Sequence, residues 1–473
     1  MTREVEVIRM ENRDTNSIEK VIYIKGKLKL LSPLLVGNGE KEFTNNDLIK
    51  DTNGNSFIPG TSIAGSVRNH IKEILNEMQE SIDILFGGEK AGSNQSLLYF
   101  YDSTLTKKGT ISMRDGIAVN NFTKVADTKE YAKYDYQILE RDNEFDFRLE
   151  LCLRNSLKAK EKDILKILSI IISELGKGNI YVGAKKNRGL GDIKLIDTEI
   201  LKFDFDKSET KENLLKEFLE FSWDEEFSKV SKEAFESGNE FMDLVKKCEN
   251  MNINTHIKVP LKVRDTIFIR NYIVKSTDVD AEQLNYNGRL IIPGTTWAGA
   301  IRHRMFIILY DLGLTEKQAK EKIEELFGHI NKNKKAKASR IRFRDSIDSN
   351  KSKFINISRT KIDRFTGGAC SKALFEERVA VNGDISLDIY IKDQKQWEMG
   401  LLILSIYDLM SGMLAIGGEA SVGRGLVVAE DDFFIKKELI LIDGQPLCKK
   451  DEEKYFKALK EEIGSCKSAL GVF

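Results

Sequence analysis

Polar and apolar residues alternate along VIYIKGKLKLLSPLLV (21–36), FDFRLELCL (145–153), THIKVPLKVRDTIFIRNYIV (255–274) and ISLDIYI (385–391), the period of half-buried strands. A different period sets in elsewhere. Ile63, Val67, Ile71, Ile74 and Leu75 fall on one helical face, and DILKILSIIISELG (163–176) and GLLILSIYDLMSGM (400–413) read as amphipathic helices. Short strands, LLYFYD and RIRFRD, follow the first helix of each half, and DIKLIDTEI and LVVAEDDFFI close the halves. Each half therefore reads strand–helix–strand–strand–helix–strand, the order of a ferredoxin-like domain.

The two halves are copies. FIPGTSIAGSVRNHI (57–71) recurs as IIPGTTWAGAIRHRM (291–305), with the prolines 234 residues apart. ILFGG at Phe86 and ELFGH at Phe327 are offset by 241, LLYFYDS and RIRFRDS by 243, and Arg188 and Arg424 of two glycine-rich loops by 236. Collinear matches at nearly constant offset indicate duplication. The expected fold is α+β, with two tandem ferredoxin-like (RRM-like) domains at 1–200 and 255–435. Between them runs an acidic helical connector, 201–254, and a charged helical tail occupies 436–473.

Composition narrows the class. No run of apolar residues is long enough for a membrane span, and MTREVEVIRMENRD lacks the apolar stretch of a signal peptide, so a cytoplasmic protein without membrane partners is expected. The five cysteines are scattered and the four histidines form no ligand pattern, which argues against disulfides and a tightly held metal. Net charge is zero, 74 basic against 74 acidic residues, unlike most nucleic-acid binders. The charge is uneven, however: the connector is acidic, and KNKKAKASRIRFR (332–344) is basic.

The repeated motif starts a helix at Pro-Gly. Thr61, Ser62, Thr295 and Thr296 can cap its first turn, where free N–H groups attract phosphate. Gly65 and Gly299 leave room for an approaching backbone, and Arg68 and Arg302 can grip phosphate. The glycine-rich loops add Lys185, Lys186, Arg188 and Arg424. Alternation in RIRFRD puts Arg340, Arg342 and Arg344 on one strand face, a possible stripe along a nucleic-acid backbone. A capped helix and a closing turn are the ordinary readings of such motifs; their duplication raises phosphate contact to even standing.

With these motifs the chain resembles the RAMP superfamily of CRISPR proteins, specifically backbone-type subunits of type III effector complexes. RTKIDRFTGGACSKALFEERV (359–379) is similar to the family's hairpin thumb, and residues 114–138 are a degenerate equivalent. The resemblance implies that the protein binds CRISPR RNA together with complementary target RNA and other effector subunits. In a thumb, Arg359 and Arg364 can hold phosphates while an apolar residue such as Phe365 or Ile362 wedges between bases. It also implies target cleavage, with Mg²⁺ or another divalent cation, by an aspartate in the loop before each Pro-Gly: Asp47 in copy one, Asp278 or Asp280 in copy two. No metal ligands are assigned. Ala64 and Ala298 stand where the family often has lysine. A non-catalytic scaffold, or a nuclease that processes CRISPR RNA, are the alternatives.

Overall fold

The computed structural model describes residues 17–39, 44, 46–88, 95–117, 133–206, 211–224, 226–229, 232–248, 254–271, 279–330, 336–349, 352–429 and 435–468. Asp278 lies outside them. The chain forms two compact units. Unit 1 comprises residues 1–112, 137–184 and 191–251; unit 2 comprises 113–136, 185–190 and 252–473.

In unit 1, β1 (Ile18–Leu30) is followed by α1 (Gly60–Ile74), α2 (Gln79–Phe86) and β2 (Leu98–Phe100). Then come β3 (Ile111–Ile117) and β4 (Lys133–Leu139), which pair with each other and whose residues 113–117 and 133–136 belong to unit 2, followed in unit 1 by β5 (Glu144–Arg154), α3 (Glu161–Lys177) and β6 (Ile193–Asp204). The main sheet runs β2–β5–β1–β6 and is antiparallel, with Ile24 opposite Leu149 on one side and Ile200 on the other. That is the ferredoxin-like order. Alternation in β5 buries Phe145, Phe147, Leu149, Leu151 and Leu153, and α3 buries Ile164, Ile167, Leu168 and Ile171.

The N-terminal half of β1 is buried on both faces, which alternation alone would not predict. The connector explains it. β6 continues to Asp204, past the expected boundary at 200, and α4 (Lys211–Glu220) and α5 (Lys232–Lys247) belong to unit 1. Tyr23 on the outer face of β1 stacks on Phe221 with ring centroids 4.2 Å apart, and Phe203, Leu214 and Phe227 complete a second core. The described part of this connecting or packing insertion thus forms a second layer on the sheet.

Unit 2 repeats the plan with β7 (Asn254–Val263), β8 (Ala281–Gln283), α6 (Gly294–Asp311), α7 (Glu316–Phe327) and β9 (Ile341–Phe343). The hairpin β10 (Lys353–Ile362) and β11 (Ala369–Val381) follows, then β12 (Asp384–Lys392), α8 (Gln396–Met410), β13 (Val427–Val428) and α9 (Lys449–Ser468). The sheet runs β9–β12–β7, with β13 on the far side of β7. Trp297, Phe343, Leu387 and Met399 are buried in its core. α8 is apolar nearly all round, so one covered face would not suffice. The tail supplies the second cover: the Tyr455 carbonyl of α9 lies where a Cβ on Gly400 would be, and Tyr407 donates to Glu452 at 2.8 Å.

Candidate nucleic-acid interface

The two Pro-Gly helices begin alike, but not as expected. Neither has a side-chain cap from its own first turn. Instead the Gly60 N–H donates to Asp102 at 2.7 Å, and the Gly294 N–H to Asp345 at 2.8 Å. Both carboxylates come from the end of the short strand after the helix, the shared Asp-Ser of LLYFYDS and RIRFRDS. They put a negative group where an incoming phosphate would bind. The glycine is required because a Cβ on Gly60 would lie 2.1 Å from the Phe100 carbonyl, and one on Gly294 2.3 Å from that of Phe343. Thr61 is exposed, while Ser62, Thr295 and Thr296 are half-buried. Gly65 and Gly299 are exposed, and beyond the helix's own neighbouring backbone nothing described lies within 4 Å of a Cβ built on either. Arg68 donates to Asp83 at 2.9 Å and holds that carboxyl below its ordinary range. Arg302 lies 5.8 Å from the centre of the Phe327 ring, the Phe of the LFG repeat.

The two glycine-rich loops share one backbone design. Lys185 and Glu419 adopt the left-handed conformation, a single 3-10 turn follows, and Gly189 and Gly423 return the chain at φ +83° and +85°. Their side chains differ. The Lys185 ammonium stands 4.0 Å and 3.5 Å from the ring centres of Tyr134 and Tyr136. Burial, with Arg188 beside it, pushes its pKa down to about 7. Arg188 is exposed and donates to the Tyr134 hydroxyl at 2.9 Å; Lys186 is half-buried.

β10 and β11 form the expected thumb. They pair from Lys353–Val381 up to Ile362–Ala369, and most of the hairpin's side chains meet solvent. At the tip, Asp363 accepts from the N–H groups of Phe365 (2.9 Å) and Thr366 (2.8 Å) and from the Thr366 hydroxyl (3.0 Å). Those three bonds depress its carboxyl pKa and fix the turn. Phe365 is 99% exposed, with Ile362 and Leu374 exposed behind it. An apolar ring held fully in water by a structured turn has no folding role to explain it. Arg364 is exposed beside it.

At the foot of the hairpin, Arg359 pairs with Glu377 and Glu419, and Arg424 pairs with the same two residues, at 2.9 Å to Glu377 and 2.5 Å to Glu419. Arg424 is buried against the Phe268 ring, 5.5 Å from its centre. Two arginines expected to meet phosphate thus form an internal ion cluster linking loop and thumb. β8 runs parallel to β11 alongside this cluster. The adjacent Asp280 is exposed, and its carboxylate accepts the Glu376 N–H at 2.9 Å. Asp47 is different: it is 4% exposed and accepts from the Thr44 N–H (3.0 Å) and hydroxyl (2.7 Å). Among the described residues, no three His, Cys, Asp or Glu side chains gather where they could hold a metal ion.

The arginine stripe expected on RIRFRD is not a surface feature. Arg342 is buried, Arg340 is engaged with Glu398 (Nη1 to Oε2, 3.0 Å) and the Asp393 carbonyl, and Arg344 donates to Tyr390 at 2.7 Å. A strand covered on both faces turns alternating arginines into internal partners. Sequence reasoning nominated neither Asp102 and Asp345 nor Glu377 and Glu419. The first pair was visible in the repeat, but its role depends on partners 42 and 51 residues away.

Two tandem ferredoxin-like domains, one with a solvent-projecting hairpin beside a glycine-rich loop, define a repeat-built α+β protein. The RAMP superfamily model matches residues 27–194 and 261–428, and the chain belongs to that superfamily. The RAMP superfamily is CRISPR-associated, and its members typically bind CRISPR RNA within multisubunit complexes. A comparison with individually curated proteins finds no match. Among the described residues no helix is long and apolar enough to cross a membrane.

Proposed function

We propose that this chain is a double backbone subunit of a type III CRISPR interference complex, binding CRISPR RNA along both modules and gripping the guide–target duplex with the thumb of unit 2. The observation that carries this reading is Phe365, fully exposed on a tip braced by Asp363 and flanked by Arg364. An aromatic ring stacking on a base contributes about 1–3 kcal/mol. Phe365→Ala should therefore weaken binding of a guide–target duplex roughly tenfold or more while leaving the fold intact, read by fluorescence anisotropy and circular dichroism. Duplex affinity unchanged by Phe365→Ala and Arg364→Ser together would remove the thumb from the interface.

Target cleavage is a second reading, favoured at one site by the exposed carboxylate of Asp280 at the thumb's foot. Asp280 would accept the proton of a ribose 2′-hydroxyl as its oxygen attacks the adjacent phosphorus. The 5′-oxygen would leave, taking a proton from water, and a 2′,3′-cyclic phosphate would remain. A divalent cation such as Mg²⁺ would neutralise charge on the scissile phosphate, but the described side chains do not build a site for it. Asp280→Ala should abolish cutting of labelled complementary RNA by the assembled complex. Asp47→Ala should act through stability alone, because that carboxylate is turned inward onto Thr44.

A further inference from the structure

At the foot of the thumb three strands lie side by side, and their register sorts the side chains onto two faces. β8 pairs in parallel with one edge of β11, Ala281 opposite Glu377 and Glu282 opposite Arg378. β10 pairs with the other edge, Asn356 opposite Arg378 and Ser358 opposite Glu376. Paired neighbours share a face, and successive residues alternate between faces. One face therefore carries Glu377, and there Arg359 and Arg424 are already spent on that carboxylate and on Glu419. Arg270, opposite Gln283, falls on the same side.

The opposite face holds Glu376, Arg378 and Glu282, with Asp280 pinned at its margin by two bonds to a single residue. The Asp280 N–H donates to the Glu376 carbonyl, and the Asp280 carboxylate accepts the Glu376 N–H, both at 2.9 Å. The two glutamates are engaged: Glu376 accepts the Ser358 hydroxyl at 3.0 Å, and Glu282 accepts the Asn271 amide at 2.9 Å. Arg378 is not. It is exposed, and among the described residues its guanidinium has no hydrogen-bond or ion partner. Residues two apart in a strand are about 7 Å from each other. Arg378 thus stands one such step from Glu376, the residue that holds Asp280, and its own side chain can span the gap.

We infer that Arg378 is a catalytic residue: its guanidinium binds the non-bridging oxygens of the phosphate whose neighbouring 2′-hydroxyl faces Asp280. The inference rests on the cleavage reading above and adds a second group to it. As the 2′-oxygen attacks phosphorus, its proton passes to Asp280, the bond to the 5′-oxygen breaks, and that oxygen takes a proton from water. Negative charge gathers on the non-bridging oxygens during this step. A planar fork of N–H donors matches two such oxygens, and donors already in place stabilise the charge as it develops. Charge on the protein points the same way. A phosphate brought to Asp280 meets three carboxylates, those of Asp280, Glu376 and Glu282, and Arg378 is the cation beside them. A divalent cation on the same phosphate would add to this charge.

Single-turnover cutting of labelled complementary RNA by the assembled complex tests the inference, with duplex affinity measured on the same samples. Arg378→Ala should slow the chemical step roughly 100-fold or more, the usual cost of removing one charge-stabilising donor. Duplex affinity should change little, because the thumb keeps its hold. Arg378→Lys, a cation without the fork, should recover part of the rate. Guanidinium added to Arg378→Ala, well below denaturing concentrations, should also recover part of it, in proportion to its concentration. A merely structural arginine would respond to neither. Arg378→Ala cutting at the wild-type rate would overturn the inference and leave the role of Asp280 standing. So would a slowed variant that neither lysine nor guanidinium improves. A wild-type complex that does not cut, or an Asp280→Ala complex that cuts like wild type, would overturn the cleavage reading and this inference with it.

Discussion

Asp102 and Asp345 occupy the same place in the two copies and make the same bond to a helix-start glycine, yet their surroundings differ. Asp102 is exposed, so its loss removes a cap and little else, about 1 kcal/mol. The Asp345 side chain is covered and faces Arg114, also buried, so removing it strips both a cap and an ionic partner in a dry site. Losing one partner of a buried pair costs about 3–5 kcal/mol. Denaturant unfolding should therefore find Asp345→Ala more damaging than Asp102→Ala by on the order of 2 kcal/mol or more, and equal costs would contradict this account. The asymmetry was not legible in the sequence. Both residues stand in the same Asp-Ser dipeptide of a repeat, and only partners from distant segments tell them apart.

Elements were more legible than contacts. The strands with clean alternation, β5 and β12, and the helices with a 3.6-residue period follow from local chemistry, because each needs only one covered face. Expectation failed where a second layer was added. β1 is buried on both sides by the connector, and the RIRFRD arginines are internal because both faces of that strand are covered. The paired loops show what side chains change on a fixed backbone. Lys185, half-buried against Tyr134 and Tyr136, has its pKa depressed to about 7, whereas the matching position in the second repeat is Glu419, tied to two arginines. If the first loop meets phosphate, affinity for single-stranded RNA should fall as pH rises through about 7, as the Lys185 ammonium loses its charge. Lys185→Met should lower affinity below that pH and flatten the profile. Folding carries the opposite sign. From about 7 up to the ordinary lysine value of 10.5 the unfolded chain holds the proton and the folded chain does not, so stability rises with pH over that window. An RNA profile with the same slope in wild type and Lys185→Met would remove this lysine from the interface.

At the scale of the molecule, duplication could be read from offsets alone, because the repeated motifs are short, local and in one order. The division into units could not. Unit 2 contains residues 113–136 and 185–190, which precede it in the chain and were expected in the first domain, and no local pattern marks that exchange. Its energetic consequence is separable from backbone strain, since the two loops supply a matched pair of glycines. Gly189 and Gly423 have the same left-handed backbone, so replacing either by asparagine imposes the same small conformational cost. They differ in what the new Cβ meets: at Gly189 the Phe343 carbonyl 2.7 Å away, at Gly423 nothing among the described atoms within 4 Å. A carbonyl held by β9 cannot retreat as a flexible side chain would, and overpacking of this kind costs about 1–3 kcal/mol. Gly189→Asn should lower the unfolding midpoint of unit 2 and raise hydrogen exchange around Gly294 and Phe343, while Gly423→Asn leaves the monomer's stability within experimental error. If both lower it equally, the first loop does not seat on the helix start. If neither does, the contact at Gly189 gives way without cost.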